Sequence, residues 1–173
     1  LAPIGTLSLM CGGDEETDMR ASLAMMSAIA PEYDMVLVLE AGRENGDIVG
    51  ARKGGGNYVL EEFGRAAHAG VEPEKGAHAV LALAHHTIAL QALNGLRPSV
   101  TLNVGVVQGG TVPNAVPDYA RATIDARVFA PEDIEPLVAA IREVVAREVV
   151  PGVRAELSGG WGAPPMARTP AIA

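Results

Sequence analysis

The order of strand and helix patterns between residues 57 and 158 constrains the fold of this chain more than any other feature. Strands are predicted at 57–64, 100–107, 120–129 and 152–158, and helices at 75–94 and 131–149. In ARATIDARVF, at 120–129, apolar residues alternate with polar ones, which predicts one buried and one polar face. The order βαββαβ therefore predicts a ferredoxin-like domain, in which two helices cover one face of an antiparallel sheet.

The region before residue 53 has a different pattern. Short apolar runs at 6–11 and 35–39 are typical of strands buried on both faces. A helix is predicted from Met19 to Ile29, with Asp18 as its N-cap and Pro31 ending it. The predicted fold class is thus α/β plus α+β: part of an α/β sheet, followed by the inserted βαββαβ domain. The glycines at 54–56 predict a linker or hinge between the two.

Composition excludes several classes of function. The 173 residues are 49% hydrophobic and 20% charged, which favours a soluble globular protein. The net charge is −8 and no basic stripe occurs, so nucleic acid is not an expected partner. No apolar run reaches the roughly 18 residues of a membrane span. The single cysteine, Cys11, cannot form an internal disulfide, which suits a cytoplasmic location.

Carboxylates follow both apolar runs of the first region. Asp14, Glu15 and Glu16 come after the first run, and Glu40 ends the second. Two metal ions about 3.5 to 4 Å apart need several such ligands, and a further carboxylate can act as the base. Acids are equally common at a helix N-terminus, where they interact favourably with the helix dipole without any catalytic role. Spacing alone leaves both interpretations open.

The histidines fall into two groups. His68 lies in the small-residue loop AAHAG directly after a predicted strand, where an imidazole can reach outward and stabilise an oxyanion. His78, His85 and His86 lie together on the following predicted helix. Their spacing does not suit a single metal ion, so we expect surface or subunit-contact positions for them.

Two further residues are candidates for substrate binding. Asn114 lies in a turn between two prolines, and its amide can donate a hydrogen bond to a carbonyl. Arg127 lies on the polar face of the third predicted strand and can grip a carboxylate bidentately. The simpler alternative is a turn-forming asparagine and a solvated arginine beside Asp125.

Five motifs in a fixed order resemble those of one enzyme family. They are GDEET at 13–17, VLVLEAG at 36–42, ARKGGGNY at 51–58, GRAAHAGVEPEKGAHA at 64–79 and GGTVPNAVPDYARATIDARV at 109–128. Together they resemble the zinc metallopeptidases and deacylases of the glutamate carboxypeptidase, acetylornithine deacetylase and aminoacylase type, with glutamate carboxypeptidase the most similar branch. The resemblance implies amide-bond hydrolysis by water activated between two zinc ions.

The resemblance also implies a role for each matching residue. Glu15 would be the general base, Glu16 would bind one zinc ion and Glu40 the other. His68 would reach the active site of a dimer partner and stabilise the oxyanion. Asn114 and Arg127 would hold a small peptide or N-acyl amino acid substrate.

The family's domain organisation implies the boundaries in this chain. Residues 1–52 would belong to the catalytic domain, 53–158 would form the lid through which a homodimer assembles, and 159–173 would return to the catalytic domain. Ala163 stands where many relatives carry an arginine, so the resemblance implies no side-chain preference for the substrate.

Part of the implied site is missing from this sequence. The family's upstream histidine and bridging aspartate, and a downstream histidine, have no counterparts, and the chain begins with Leu1-Ala2-Pro3. We therefore expect an internal portion of a longer hydrolase that is inactive alone. The alternative is a non-catalytic dimerisation or ligand-binding module.

Overall fold

The computed structural model describes residues 4–14, 19, 21–40 and 42–168. The chain divides into two compact units, Leu1–Asp47 and Ile48–Ala173. No helix in the described part of the chain is long and apolar enough to cross a membrane.

Within the described residues of the first unit there is one α-helix, α1 (Ser22–Ile29), which is followed by a 3-10 turn at Ala30–Glu32. The Asp14 carboxylate accepts hydrogen bonds from the backbone amides of Ala21 (2.8 Å) and Ser22 (3.1 Å), so it satisfies donors that a helix start leaves open. The helix begins three residues later than predicted, and the predicted cap, Asp18, lies outside the described residues.

The strands predicted at 6–11 and 35–39 are not formed. Described residues 4–14 and 35–40 have no strand pairing, and their apolar side chains are exposed, Leu7 by 90% and Leu39 by 86%. A strand requires the backbone groups of a paired neighbour. No described residue pairs with either run. The hydrophobic pattern alone therefore does not produce a strand there.

The second unit contains a four-stranded sheet with two helices. The strands are β1 (Gly54–Phe63), β2 (Thr101–Gly109), β3 (Tyr119–Val128) and β4 (Arg154–Ala163), and the helices are α2 (Ala79–Gln91) and α3 (Ile134–Val145). The spatial order is β2-β3-β1-β4, and every neighbouring pair is antiparallel. The predicted βαββαβ order and the α+β class of this domain are confirmed.

The alternation predicted in β3 is also confirmed. Ala122, Ile124, Ala126 and Val128 are buried against the helices, and the intervening polar side chains face away from the core. Helix α3 contributes Leu137, Ile141 and Val144 to the same core. The helices therefore cover one face of the sheet, as binary patterning requires.

The glycines at 54–56 do not form a hinge. They begin strand β1 and pair with β3 and β4. A Cβ on Gly54 would lie 2.5 Å from the Pro165 nitrogen, and one on Gly56 would lie 2.9 Å from the Trp161 ring. Glycine is needed at these positions because neighbouring groups approach the backbone closely.

Candidate functional site

The loops that carry His68 and Asn114 pair with each other beside one end of the sheet. The Ala69 amide donates to the Asn114 carbonyl and the Val116 amide donates to the Ala67 carbonyl, both at 2.9 Å. His68 and Ala115 form an isolated antiparallel bridge. The fold thus brings together two residues that are 46 positions apart in the sequence.

The base of the His68 loop is fixed by backbone hydrogen bonds. The Gly64 amide donates to Asp118 (2.7 Å), and Arg65 exchanges two backbone bonds with Ala77 (3.0 and 2.9 Å). A Cβ on Gly64 would lie only 2.0 Å from the Ala77 carbonyl oxygen, so this crossing requires glycine. The loop is therefore attached to the segment before α2 as well as to the Asn114 loop.

The His68 ring is exposed and its tautomer is defined by a local hydrogen bond. Nδ1 accepts from the Gly70 amide at 3.1 Å. A neutral imidazole has one N–H, so the proton is on Nε2. The solvent-facing edge of the ring is consequently a hydrogen-bond donor, and Asn114, also exposed, lies in the paired loop.

Arg127 is not part of this cluster. It lies near the end of β3, eight residues beyond Tyr119, which corresponds to about 26 Å along the strand. Its guanidinium is 2.8 Å from the Asp125 carboxylate, whose hydrogen bond and charge raise the pKa of Arg127. The structure therefore places Arg127 beside Asp125, at the opposite end of β3 from the His68 and Asn114 loops.

The candidate general base, Glu15, and the candidate metal ligands, Glu16 and Glu40, belong to the first unit. Glu15 and Glu16 lie outside the described residues, and Glu40 is exposed in a segment without regular structure. The described residues contain no group of three or more histidine, cysteine or acidic side chains able to hold a metal ion. They do not by themselves make a zinc site.

The three histidines of the α2 region differ in environment. His78 is the N-cap of α2, and its Nδ1 accepts from the Leu81 amide at 3.0 Å. His85 is exposed, as expected. The surface position expected for His86 is wrong, because its side chain is buried, with 2% exposure.

The burial of His86 follows from a partner that sequence reasoning missed. His86 Nδ1 is 2.5 Å from Oε1 of Glu62, which is fully buried on the helix-facing side of β1. The sequence did indicate that Glu62 is buried, since its alternate spacing with Tyr58 and Leu60 places all three on the same face of the strand.

The second unit thus defines a class of protein: a ferredoxin-like α+β domain that presents a histidine and an asparagine on paired loops. Residues 50–153 match the family model M20_dimer, described as a peptidase dimerisation domain. The chain belongs to this M20 peptidase dimerisation-domain family.

Individual relatives agree with this assignment. The chain is 32% identical over 132 residues to the uncharacterized protein YqjE of Bacillus subtilis, covering 76% of this chain and 35% of the relative. It is 24% identical over 148 residues to carboxypeptidase G2 of a Pseudomonas species, and this match covers 85% of this chain and 36% of the relative. The chain thus spans about a third of the length of these relatives.

A solved structure has the same fold. The aminopeptidase PepT of Bacillus cereus superposes with a TM-score of 0.66 at 30% sequence identity. The match covers 76% of this chain and 35% of the peptidase chain. The α+β architecture is therefore shared with an M20-type peptidase.

Proposed function

We propose that this chain is the lid and part of the catalytic region of a zinc-dependent hydrolase that cleaves an amide bond, as a carboxypeptidase or an N-acyl amino acid deacylase. The observation that carries the proposal is the His68 Nε2–H donor held beside Asn114 within the family's domain. Two relatives are named as a carboxypeptidase and an aminopeptidase, enzymes that both cleave amide bonds. The substrate class is a small peptide or an N-acyl amino acid.

His68 and Asn114 would act on the carbonyl oxygen of the scissile bond. Water attack on an amide places negative charge on that oxygen, and an Nε2–H donor stabilises this charge without first gaining a proton. The amide of Asn114 can donate in the same region. We propose that Arg127 binds a substrate carboxylate elsewhere on the sheet, with Asp125 orienting its guanidinium.

Metal binding would depend on the first unit. We assign Glu16 and Glu40 as two ligands of a pair of zinc ions and Glu15 as the general base. Because the described residues do not form a ligand group of three, the remaining ligands would come from outside them. We expect the 173-residue chain alone to be inactive.

Complementation between subunits tests the roles of Glu15 and His68. The complete open reading frame is expressed as a Glu15→Gln variant and as a His68→Ala variant, and the two are mixed. If His68 acts in the partner's active site, each variant alone loses most activity and the mixture regains part of it. A mixture no more active than the two separate variants would contradict the action of His68 in the partner's active site. Near-normal turnover by metal-loaded Glu15→Gln would contradict the role of Glu15 as general base.

The surface around β2 supports a homodimer of the lid. Side chains of Gln91 and Asn94 hydrogen-bond the backbone of Leu102 and Val104, so they cover the first half of this edge strand. After a register shift at Gly105, the second half carries Val106 and Val107, which are 51% and 54% exposed. An edge with exposed apolar residues is a template for strand pairing. We propose that two copies pair through this second half.

The neighbouring helix supplies a second part of the interface. Leu81, His85 and Ile88 are exposed along one side of α2, with Ile88 at 71%. Their spacing of four and three residues places them on one face of the helix. Helix α2 packs on β2. We propose that this face of the helix and the second half of the edge strand form one interface.

Substitution on the two sheet edges tests the dimer. Val107→Lys introduces a charge into the proposed interface, and Ser158→Lys places the same charge on the opposite edge strand, β4. Sedimentation equilibrium should show a dimer for wild type and Ser158→Lys and a monomer for Val107→Lys. A monomeric wild-type chain, or a dimer unaffected by Val107→Lys, would refute the proposed interface.

A non-catalytic dimerisation or ligand-binding module is the second candidate. It is favoured by the lack of a three-ligand metal group among the described residues. Zinc analysis of the protein from the complete open reading frame separates the candidates. About two zinc ions per subunit support the hydrolase, whereas a dimer without zinc supports the module.

We also propose a cytoplasmic location. Cys11 is exposed and forms no disulfide. An exposed free thiol suits a compartment that keeps cysteines reduced.

A further inference from the structure

The buried pair of Glu62 and His86 connects three elements of the second unit. His86 lies on α2, Glu62 lies on β1, and His86 Nε2 is 3.1 Å from the backbone carbonyl of Arg147, just after α3. The imidazole thus has a carboxylate oxygen on one nitrogen and a carbonyl oxygen on the other.

Proton counting shows what this arrangement requires. Both partners of the ring accept hydrogen bonds when Glu62 is ionised, and a neutral imidazole has only one N–H. Two hydrogen bonds therefore need one more proton, held either as imidazolium with carboxylate or as neutral imidazole with carboxylic acid. Once that proton is lost, one bond must break, because either Glu62 or the Arg147 carbonyl then faces a nitrogen lone pair.

The pair is shielded from solvent but adjoins an open cleft. A cleft of about 320 Å³ is bordered by Glu62, His86 and the segment 145–150. Glu62 Oε2 is inaccessible and has no hydrogen-bond partner among the described residues.

The other charged groups around the pair are engaged elsewhere. Arg147 forms an ion pair with Glu143 at 2.7 Å, Glu148 accepts from the Gly152 amide, and Arg154 pairs with Glu156. Among these side chains, His86 is the one in direct hydrogen-bonding contact with Glu62.

We propose that Glu62, His86 and the Arg147 carbonyl form a one-proton latch, which holds the C-terminal end of α3 against the sheet and releases residues 146–150 when the proton leaves. The unlatched segment uncovers the floor of the cleft. Burial of the ring opposes its charge, but the hydrogen bond and charge of Glu62 and the Arg147 carbonyl outweigh that effect and raise the pKa of His86. The latch is thus closed near neutral pH and opens in alkaline solution.

Hydrogen exchange on the 173-residue chain tests the latch. Protection of peptides covering 144–150 is measured at about pH 6 and about pH 9, corrected for intrinsic exchange and referenced to β3. In wild type we expect protection of this segment to fall relative to β3 as the pH rises through the pKa of His86, by up to about tenfold per pH unit. Glu135→Gln, at an exposed position on α3, should behave as wild type.

Removing the pair should remove the pH dependence of hydrogen exchange in this segment. The double variant Glu62→Leu/His86→Leu keeps the interior packed but has no titratable group at these two positions. Its residues 144–150 should show no pH dependence of protection beyond that of β3. An equal response in the double variant and wild type would overturn the latch. Imidazole ¹⁵N shifts of wild-type His86 provide a second readout that needs no variant. The latch would also be overturned if the imidazole were neutral at pH 6 and its Nδ1 neither carried a proton nor accepted a hydrogen bond from Glu62.

Discussion

Removing one member of the Glu62–His86 pair should destabilise the chain more than removing both. In His86→Leu, the fully buried Glu62 keeps its charge or must take up a proton, and an uncompensated buried charge of this kind costs about 3 to 5 kcal/mol. In Glu62→Leu/His86→Leu, leucines of similar volume fill the same space, and replacing a whole buried pair is commonly neutral or stabilising by about 1 to 4 kcal/mol. The double variant should therefore recover most or all of the lost stability.

Urea unfolding at neutral pH, followed by circular dichroism, measures these free energies. Ala139→Leu is the control, since this exposed position on α3 should change the free energy of unfolding by no more than about 0.5 kcal/mol. The coupling energy of the double-mutant cycle isolates the pair from the lost packing of each residue. A loss below about 1 kcal/mol for His86→Leu, or a double variant less stable than both single ones, would refute the reasoning.

The remaining predictions concern stability, the His68 loop and the edge strand. Because the pKa of His86 is raised in the folded chain, its stabilisation is complete below about pH 6.5 and is lost as pH rises through the folded pKa, by at most about 1.4 kcal/mol per pH unit in urea titrations. Gly64→Ala should cost about 2 kcal/mol or more in thermal unfolding, since its Cβ would strike a backbone carbonyl, whereas Gly70→Ala meets only ordinary contacts and should cost far less. Asn94→Ala removes two hydrogen bonds to Leu102 and should lower stability by about 1 to 3 kcal/mol while increasing light scattering at high concentration, because it uncovers more of the β2 edge.

The sequence predicted the second unit well because its elements are specified locally. The alternation of Ala122 to Val128 sets the faces of β3, and periodic apolar residues set α3. Neighbouring strands within the unit then complete the pairing. The runs at 6–11 and 35–39 carry an equally strong apolar pattern, but strand formation depends on a neighbour, which pattern does not provide.

The site was predictable in part. The AAHAG and GGTVPNAVP motifs identified His68 and Asn114, and the structure pairs their loops through backbone bonds. The distance of Arg127 from them depends on strand register and could not be read from spacing. His86 was misplaced because helical periodicity treats histidine as polar, whereas a buried carboxylate on another strand determines its position.

The half-covered β2 edge also bears on the symmetry of any assembly. Antiparallel pairing of β2 with its own copy uses the same surface on both molecules, so the contact closes as a two-fold dimer with a continuous sheet of about eight strands. Pairing of β2 with β4 would instead join unlike edges and extend without limit into a filament. Strand β4 bears the Arg154–Glu156 ion pair and runs into Pro164 and Pro165, features that discourage such addition. The two edges of one small sheet thereby favour a finite assembly over an open polymer.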